Sequence, residues 1–285
     1  MKLINQSFSF VPQSGFGLLD IYRHIERCAR VCYKSEDRIT PNSCVKFVDN
    51  LIARDHSRPL EFGTVHLKFS RVSFASFRNK LLSLREWNDQ WIRYNSDEAH
   101  VYATTNYRYY LRMKSLLKNS FYLEDNLDPS DNALYPKRYT VHFILSRAIM
   151  DEFRTHVGLS HLAESTRYCN YSKGKFNSEL TFIKPNWYID KDYKRVLADS
   201  KEEVTSARFQ ASLKDAESAY LFLLQNGCKP QEARESLPLS IKSELISCGF
   251  KKDWDDFCYR RNSPSAHPMA QEIAFFLQSQ FLVKE

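Results

Sequence analysis

Glu164-Ser-Thr-Arg-Tyr-Cys-Asn-Tyr-Ser172, running on to Phe182-Ile-Lys-Pro185, places a short hydroxyl, a fixed cation and an aromatic ring in one compact segment. Ser165 and Arg167 have the chemistry to hold a phosphate or the polar edge of a base, because a guanidinium offers paired N–H donors and keeps its charge. Tyr168 can wall off a ring held that way. Ser-x-Arg-Tyr is short enough to arise by chance in loops, so its surroundings decide its weight.

Regular structure frames that segment. Val141, Phe143 and Leu145 share one face of a strand over 139–145, and a helix follows over 147–153. Val65, Leu67 and Phe69 alternate with Thr64, His66 and Lys68, which predicts another strand. Leu18, Leu19, Ile21, Ile25, Ala29 and Cys32 recur at helical spacing, giving an amphipathic helix to about Tyr33. Pro41-Asn-Ser43 opens a second helix with Val45, Phe47, Val48, Leu51 and Ile52 as its buried stripe. Residues 81–91 also read as helical. Residues 116–138, rich in Asn, Asp and Pro, predict a long loop inserted in the chain. A helix over 202–225 stops at Asn226-Gly227, Pro230 suits the first turn of the next, and a last helix covers 268–281. Strands separated by long helices, with few tight hairpin signals, predict an α+β fold.

Composition adds bounds. The 285 residues suit one large domain or two small ones. Aromatic content of 14% with only 7 glycines describes a globular chain rather than a linker-rich one. A formal net charge of +7 favours anionic partners or simply a solvated basic surface. No apolar run approaches the ~20 residues that span a bilayer, and the N-terminal residues lack a signal peptide's apolar core. The expected location is the cytoplasm, that of a host cell if the chain is phage-encoded. Seven cysteines, with only Cys28 and Cys32 at helical spacing, form no zinc-type set and point to reduced thiols. Cys169 stands out among them because it adjoins Arg167.

With its surroundings, the opening segment resembles the core of the flavin-dependent thymidylate synthases, in particular their phage-type branch. That family's hallmark reads roughly Arg-His-Arg-x-x-Ser-x-x-x-x-Ser-x-Arg-Tyr. Further stretches match in order: Ile25 to Glu36, Lys46 to Ile52, His56-x-x-x-Leu-Glu61, Thr104 to Arg108, Lys229 to Pro238, and Ala266-His-Pro268. The resemblance implies a single unit over 1–285 with a central, largely antiparallel sheet flanked by helices. It also implies a homotetramer with active sites shared between subunits. The implied activity converts deoxyuridylate to thymidylate with carbon from methylenetetrahydrofolate and a hydride from FAD reduced by NADPH.

Carried over residue by residue, the resemblance implies Ser165, Arg167, Arg234 and Arg261 as deoxyuridylate contacts, with Glu164 beside them. Ser165 and Arg261 are the implied catalytic residues at the base. His156, Ser160, His267 and Arg154 are the implied cofactor contacts. The sequence departs from the family at the flavin motif. Without gaps, Arg-His-Arg becomes Thr155-His156-Val157, the family's Glu-His becomes Glu61-Phe62, two flavin-facing asparagines become Ser240 and Phe250, and the hallmark acceptor becomes Ala163. A shift of one residue pairs Arg154 with the first arginine, at the expense of a gap before Ser160.

Three functional readings follow. The chain is a thymidylate synthase holding flavin through other cations, such as Arg154, Arg108 or Lys173. Or it transfers a hydroxymethyl group, which needs water but no hydride. Or it is a non-catalytic nucleotide-binding relative. A different class, single-stranded nucleic-acid binding, rests on the aromatic–basic run Tyr107 to Lys114. An amphipathic helix with a basic outer face explains the same run.

Overall fold

The computed structural model describes residues 1–118, 120–191 and 200–283. Its largest sheet is antiparallel, in the order β2 (Ser7–Phe10), β6 (Arg138–Ser146), β9 (Lys242–Phe250) and β7 (Ser160–Ala163). Val141, Phe143 and Leu145 of β6 point to one face, as period-two alternation requires, and are fully buried. They pack on α5 (Arg147–Arg154), α8 (Lys251–Arg261) and α9 (Pro268–Val283), with Trp254 and Phe257 filling the space between. The opposite face lies under α1 (Leu18–Arg30), where Cys28 meets Ile246 and Cys248, and His24 bonds the hydroxyl of Thr140 at 3.0 Å.

A second antiparallel sheet runs β3 (Thr64–Ser70), β5 (His100–Asn106), β4 (Ile92–Ser96). Val65, Leu67 and Phe69 bury against α2 (Ser43–Ala53), α3 (Arg71–Ser83) and α4 (Tyr107–Leu117). A short parallel pair, β1 (Lys2–Ile4) with β8 (Thr181–Ile183), packs with α6 (Lys201–Gln225) and α7 (Pro230–Ala233) around Phe182, Leu213 and Tyr220. The α+β class and the antiparallel pairing are as expected. The central sheet is flanked by helices, and β3–β5–β4 forms a sheet of its own.

Several local expectations change. The helix placed at 81–91 begins at Arg71, capped by Ser70, whose hydroxyl accepts from the Ser73 N–H at 3.1 Å. It ends at Ser83, and Arg85 then takes a positive φ of 57°, which breaks the helix. The buried stripe of α2 is rotated. Cys44 and Val48 are buried with Phe47 and Leu51 beside them, while Val45 and Ile52 face outward. Strand β9 carries Lys242, Ser243 and Glu244 in its first half, so no apolar alternation marks it. Of the expected loop, Leu123 is buried and Leu127 bridges to Leu67; Asn119 lies outside the described residues.

Helix α4 settles the aromatic–basic run in packing terms. Tyr107, Tyr109, Tyr110 and Met113 are buried, while Arg108 pairs with Glu61, Arg112 with Glu86 and Lys114 with Glu124. The rings therefore serve the core. Among the described residues no helix is long and apolar enough to cross a membrane.

Candidate active site

Two groups of expected site residues form on either side of β7. The first lines a cleft of about 400 Å³ where the start of β7 and the end of β9 meet the 3-10 turn Arg58–Phe62. Arg154, His156 and Ser160, three of the four expected cofactor contacts, border it with Glu61, Arg138 and Phe250. The loop carrying His156 lies close on β9 because residue 249 is glycine; a Cβ there would sit 2.4 Å from Leu159 Cδ2. The fourth residue, His267, is elsewhere: it is exposed and caps α9, its Nδ1 accepting from the Met269 N–H at 3.1 Å.

Inside the cleft, Ser160 donates its hydroxyl to Glu61 Oε2 at 2.6 Å, and Arg108 donates to Glu61 Oε1 at 2.6 Å. Glu61 is thereby a fixed, buried anion on the wall. His161, which the sequence reading did not single out, is held at both ring nitrogens, by the Ser247 hydroxyl at 2.8 Å and the His156 carbonyl at 3.0 Å. Burial pulls its pKa down to about 4, so the ring is neutral at physiological pH. Burial also lowers His156, partly offset by Asp256 at 3.9 Å.

The second group is the turn after β7. The Ser165 N–H donates to the Cys32 carbonyl at 2.9 Å, and the Ser165 carbonyl accepts from the Cys169 N–H at 3.0 Å. This pins the turn and leaves Arg167 exposed, its guanidinium 5.7 Å from the Tyr168 ring centre. Tyr168 leans on Tyr33 at 5.3 Å. Arg234 comes from the segment after α7 and donates to Thr166 Oγ1 at 3.5 Å, so two arginines flank one turn. Cys169 is buried in the cluster around Leu180 and Tyr220.

Two other expected nucleotide contacts lie apart. Glu164 is only 1% exposed and turns inward, because it continues the alternation of Ser160 and Leu162 toward α1. There it accepts from Tyr171, from Lys242 and from the Glu244 N–H. Arg261 donates to the Glu152 carbonyl at 2.6 Å and to Thr155 Oγ1 at 2.8 Å, capping the C-terminal end of α5. Neither bond takes it toward Arg167 or Arg234.

A family model described as thymidylate synthase complementing protein matches residues 136–281, just over half of the chain. This chain belongs to the thymidylate synthase complementing protein family. The matched stretch holds every residue assigned above to nucleotide or cofactor. No curated protein matches the chain. Among solved structures, a UMP/dUMP methylase, PolB from Streptomyces cacaoi bound with 5-Br UMP, superposes at 14% identity and a TM-score of 0.45, covering 99% of this chain and 92% of that one. The same protein with 5-Br dUMP gives 14% identity, a TM-score of 0.43 and coverage of 99% and 93%.

The family is flavin-dependent, and the cleft can be tested against that group. Thr155 spends its hydroxyl on the Glu152 carbonyl at 2.7 Å while accepting from Arg261, and Val157 is 82% exposed at the rim. Phe62, where the family has histidine, is 0% exposed and packed among Cys28, Val31 and Leu162, so it does not face the cleft. Of the arginines on the lining, Arg138 donates to the Glu61 and Gly63 carbonyls and to Thr64 Oγ1, Arg154 sits beside Asp151 at 3.3 Å, and Arg58 lies 3.8 Å from the Glu61 carboxylate. Arg108 is committed to Glu61, and Lys173 is exposed on the loop beyond the turn. The cleft thus has arginines of its own, but neither of the two that the family's flavin motif has where this chain has Thr155 and Val157, and the Glu61 carboxylate stands on its wall. The residues present do not reproduce the family's flavin motif here.

Proposed function

We propose that this chain transfers one carbon from methylenetetrahydrofolate to the uracil ring of deoxyuridylate. The observation that carries the proposal is the Ser165–Arg167 turn with Arg234 beside it. Two guanidiniums and a hydroxyl around one exposed turn suit a nucleoside monophosphate, with Tyr168 as a wall for its ring. Arg261 then completes the site from a neighbouring copy, which is the role a homotetramer gives it, with residues 1–285 acting as one unit in the cytoplasm. Glu164 supports the turn from beneath.

The loss of the flavin motif's two arginines at Thr155 and Val157 favours hydroxymethyl over methyl transfer. Methylenetetrahydrofolate and water supply a hydroxymethyl group and release tetrahydrofolate with no net oxidation or reduction. Neither FAD nor NADPH is then consumed. The test is incubation of the purified protein with deoxyuridylate and methylenetetrahydrofolate, with and without FAD and NADPH, followed by mass analysis of the nucleotide. A hydroxymethylated product without flavin supports this reading. Thymidylate formed only with flavin and NADPH returns the chain to ordinary thymidylate synthesis, and an unchanged nucleotide that nonetheless binds leaves a non-catalytic relative. Light scattering checks the assembly: a monomer mass across the micromolar range removes the shared-site argument for Arg261.

A further inference from the structure

The cleft at the start of β7 lacks the flavin motif, yet its walls hold polar groups with bonding capacity to spare. Glu61 is fixed at both oxygens: Ser160 donates to Oε2 and Arg108 to Oε1, each at 2.6 Å. A carboxylate offers about four acceptor positions, so each oxygen keeps a lone pair after those bonds. Arg58, at 3.8 Å, stands outside hydrogen-bond reach.

Asn106 borders the same cleft from the end of β5 and is only 5% exposed. Its Oδ1 caps α4 by accepting from the Tyr109 N–H at 2.9 Å, while its Nδ2 has no bonding partner among the described residues. An amide donor in so enclosed a place is costly to leave without an acceptor. Trp91, half-buried, adds an indole to the lining. Arg58 and Arg154 line the cleft with exposed side chains, Arg154 in a surface contact with Asp151.

We propose that this cleft holds the pterin ring of a reduced folate, its amino group and ring N–H on Glu61 and its carbonyl on Asn106, with the folate's carboxylate tail at Arg58 and Arg154. The proposal rests on the reading that methylenetetrahydrofolate is the carbon source. A reduced pterin shows an amino group, an N–H and a carbonyl in a row, which matches the two oxygens of one carboxylate followed by an amide donor. Flavin shows carbonyl, N–H and carbonyl along its own pyrimidine edge, and a carbonyl against Glu61 sets acceptor on acceptor. Exposed guanidiniums suit the carboxylates of the tail. A volume of about 400 Å³ is within the range of small-molecule sites. Only the four residues of β7 separate the cleft from the nucleotide turn, which sets a carbon donor near its acceptor. Guanine carries the same edge as a pterin, so guanosine is the contrasting probe.

The test is calorimetric titration of the full chain with 5-formyltetrahydrofolate, a stable reduced folate, and separately with guanosine and FAD. Asn106→Asp keeps the α4 cap, since Asp caps a helix as well as Asn, and removes the donor. Arg58→Gln acts from the exposed rim, and circular dichroism confirms that both variants keep the fold. The expected result is saturable folate binding, weakened at least about tenfold in each variant. Guanosine bound as tightly as the folate overturns the pterin assignment, and FAD bound more tightly than the folate returns the cleft to flavin. Folate affinity equal to the parent's in both variants overturns the site, even where carbon still reaches deoxyuridylate. Folate bound through Asn106 and Arg58 with no carbon transferred keeps the site and removes the reaction instead. No folate binding by the parent at millimolar probe overturns both.

Discussion

Lys242 Nζ lies 2.9 Å from Glu164 Oε2, joining the start of β9 to the residue that follows β7. Glu164 is buried beside the turn that carries Ser165 and Arg167. Lys242 also reaches Glu244 at 2.6 Å, so the lysine holds two carboxylates. Breaking one partner of such a pair strands an uncompensated buried charge. Lys242→Met is expected to destabilise the protein by about 3–5 kcal/mol, and Glu164→Leu/Lys242→Met to recover much of the loss. Denaturant titration of the parent, single and double variants checks this. A double variant no more stable than Lys242→Met would show that the lysine acts through Glu244 instead.

Acid should loosen the fold through the same network and through His161. Burial opposes ionisation of Glu244, but His142, Lys242 and Lys34 outweigh it and hold its carboxyl well below the ordinary range. A depressed carboxyl contributes stability above its unfolded pKa, near 4.5, and loses it as pH falls toward the folded value. His161 adds an earlier loss. Its folded pKa of about 4 lies below the unfolded 6.5, so the unfolded chain binds the extra proton as pH drops between those values. That difference is worth at most roughly 3 kcal/mol. His161→Gln should flatten the stability profile between pH 6.5 and 4, measured by thermal unfolding, and leave the profile above pH 7 unchanged in slope.

Nucleotide affinity should depend on the arginines flanking the turn. Arg167→Ala and Arg234→Ala are each expected to weaken deoxyuridylate binding by about 1.5–3 kcal/mol, roughly ten- to a hundredfold, with the fold intact. Calorimetric titration decides it. Affinity equal to the parent in both variants removes the assignment.

Flavin binding offers a contrast between an exposed and a buried replacement. Thr155→Arg/Val157→Arg puts two cations at the mouth of the cleft and should raise flavin retention, read from the absorbance of the purified protein. Thr155 also holds Arg261, so loosening the end of α5 offsets part of the gain. Phe62→His is different: the ring is fully buried among Cys28, Val31 and Leu162, and a polar imidazole there is expected to cost about 1–3 kcal/mol without adding a flavin contact. Tight flavin binding by the parent, with reduction by NADPH, would show that the cleft holds the cofactor through other residues.

Where side-chain periodicity is strong, the sequence by itself determined the structure. The alternation of Val141, Phe143 and Leu145 defined β6, and the spacing of Ile21, Ile25 and Ala29 defined α1, although Leu18 and Leu19 at its start are exposed, because burial of one face needs only local geometry. The hallmark turn was legible too, since Ser165, Arg167 and Tyr168 lie within four residues. Tertiary structure alone decided the rest. Strand β9 is polar at its start because Lys242 and Glu244 find partners just after β7, on β6 and in the segment after α1, and such matching has no local signature. It also decided that Glu164 turns inward, that Phe62 leaves the cleft for the core, and that Arg261 caps α5 away from Arg167. Each depends on which distant segment arrives opposite, and that is a property of packing rather than of sequence spacing.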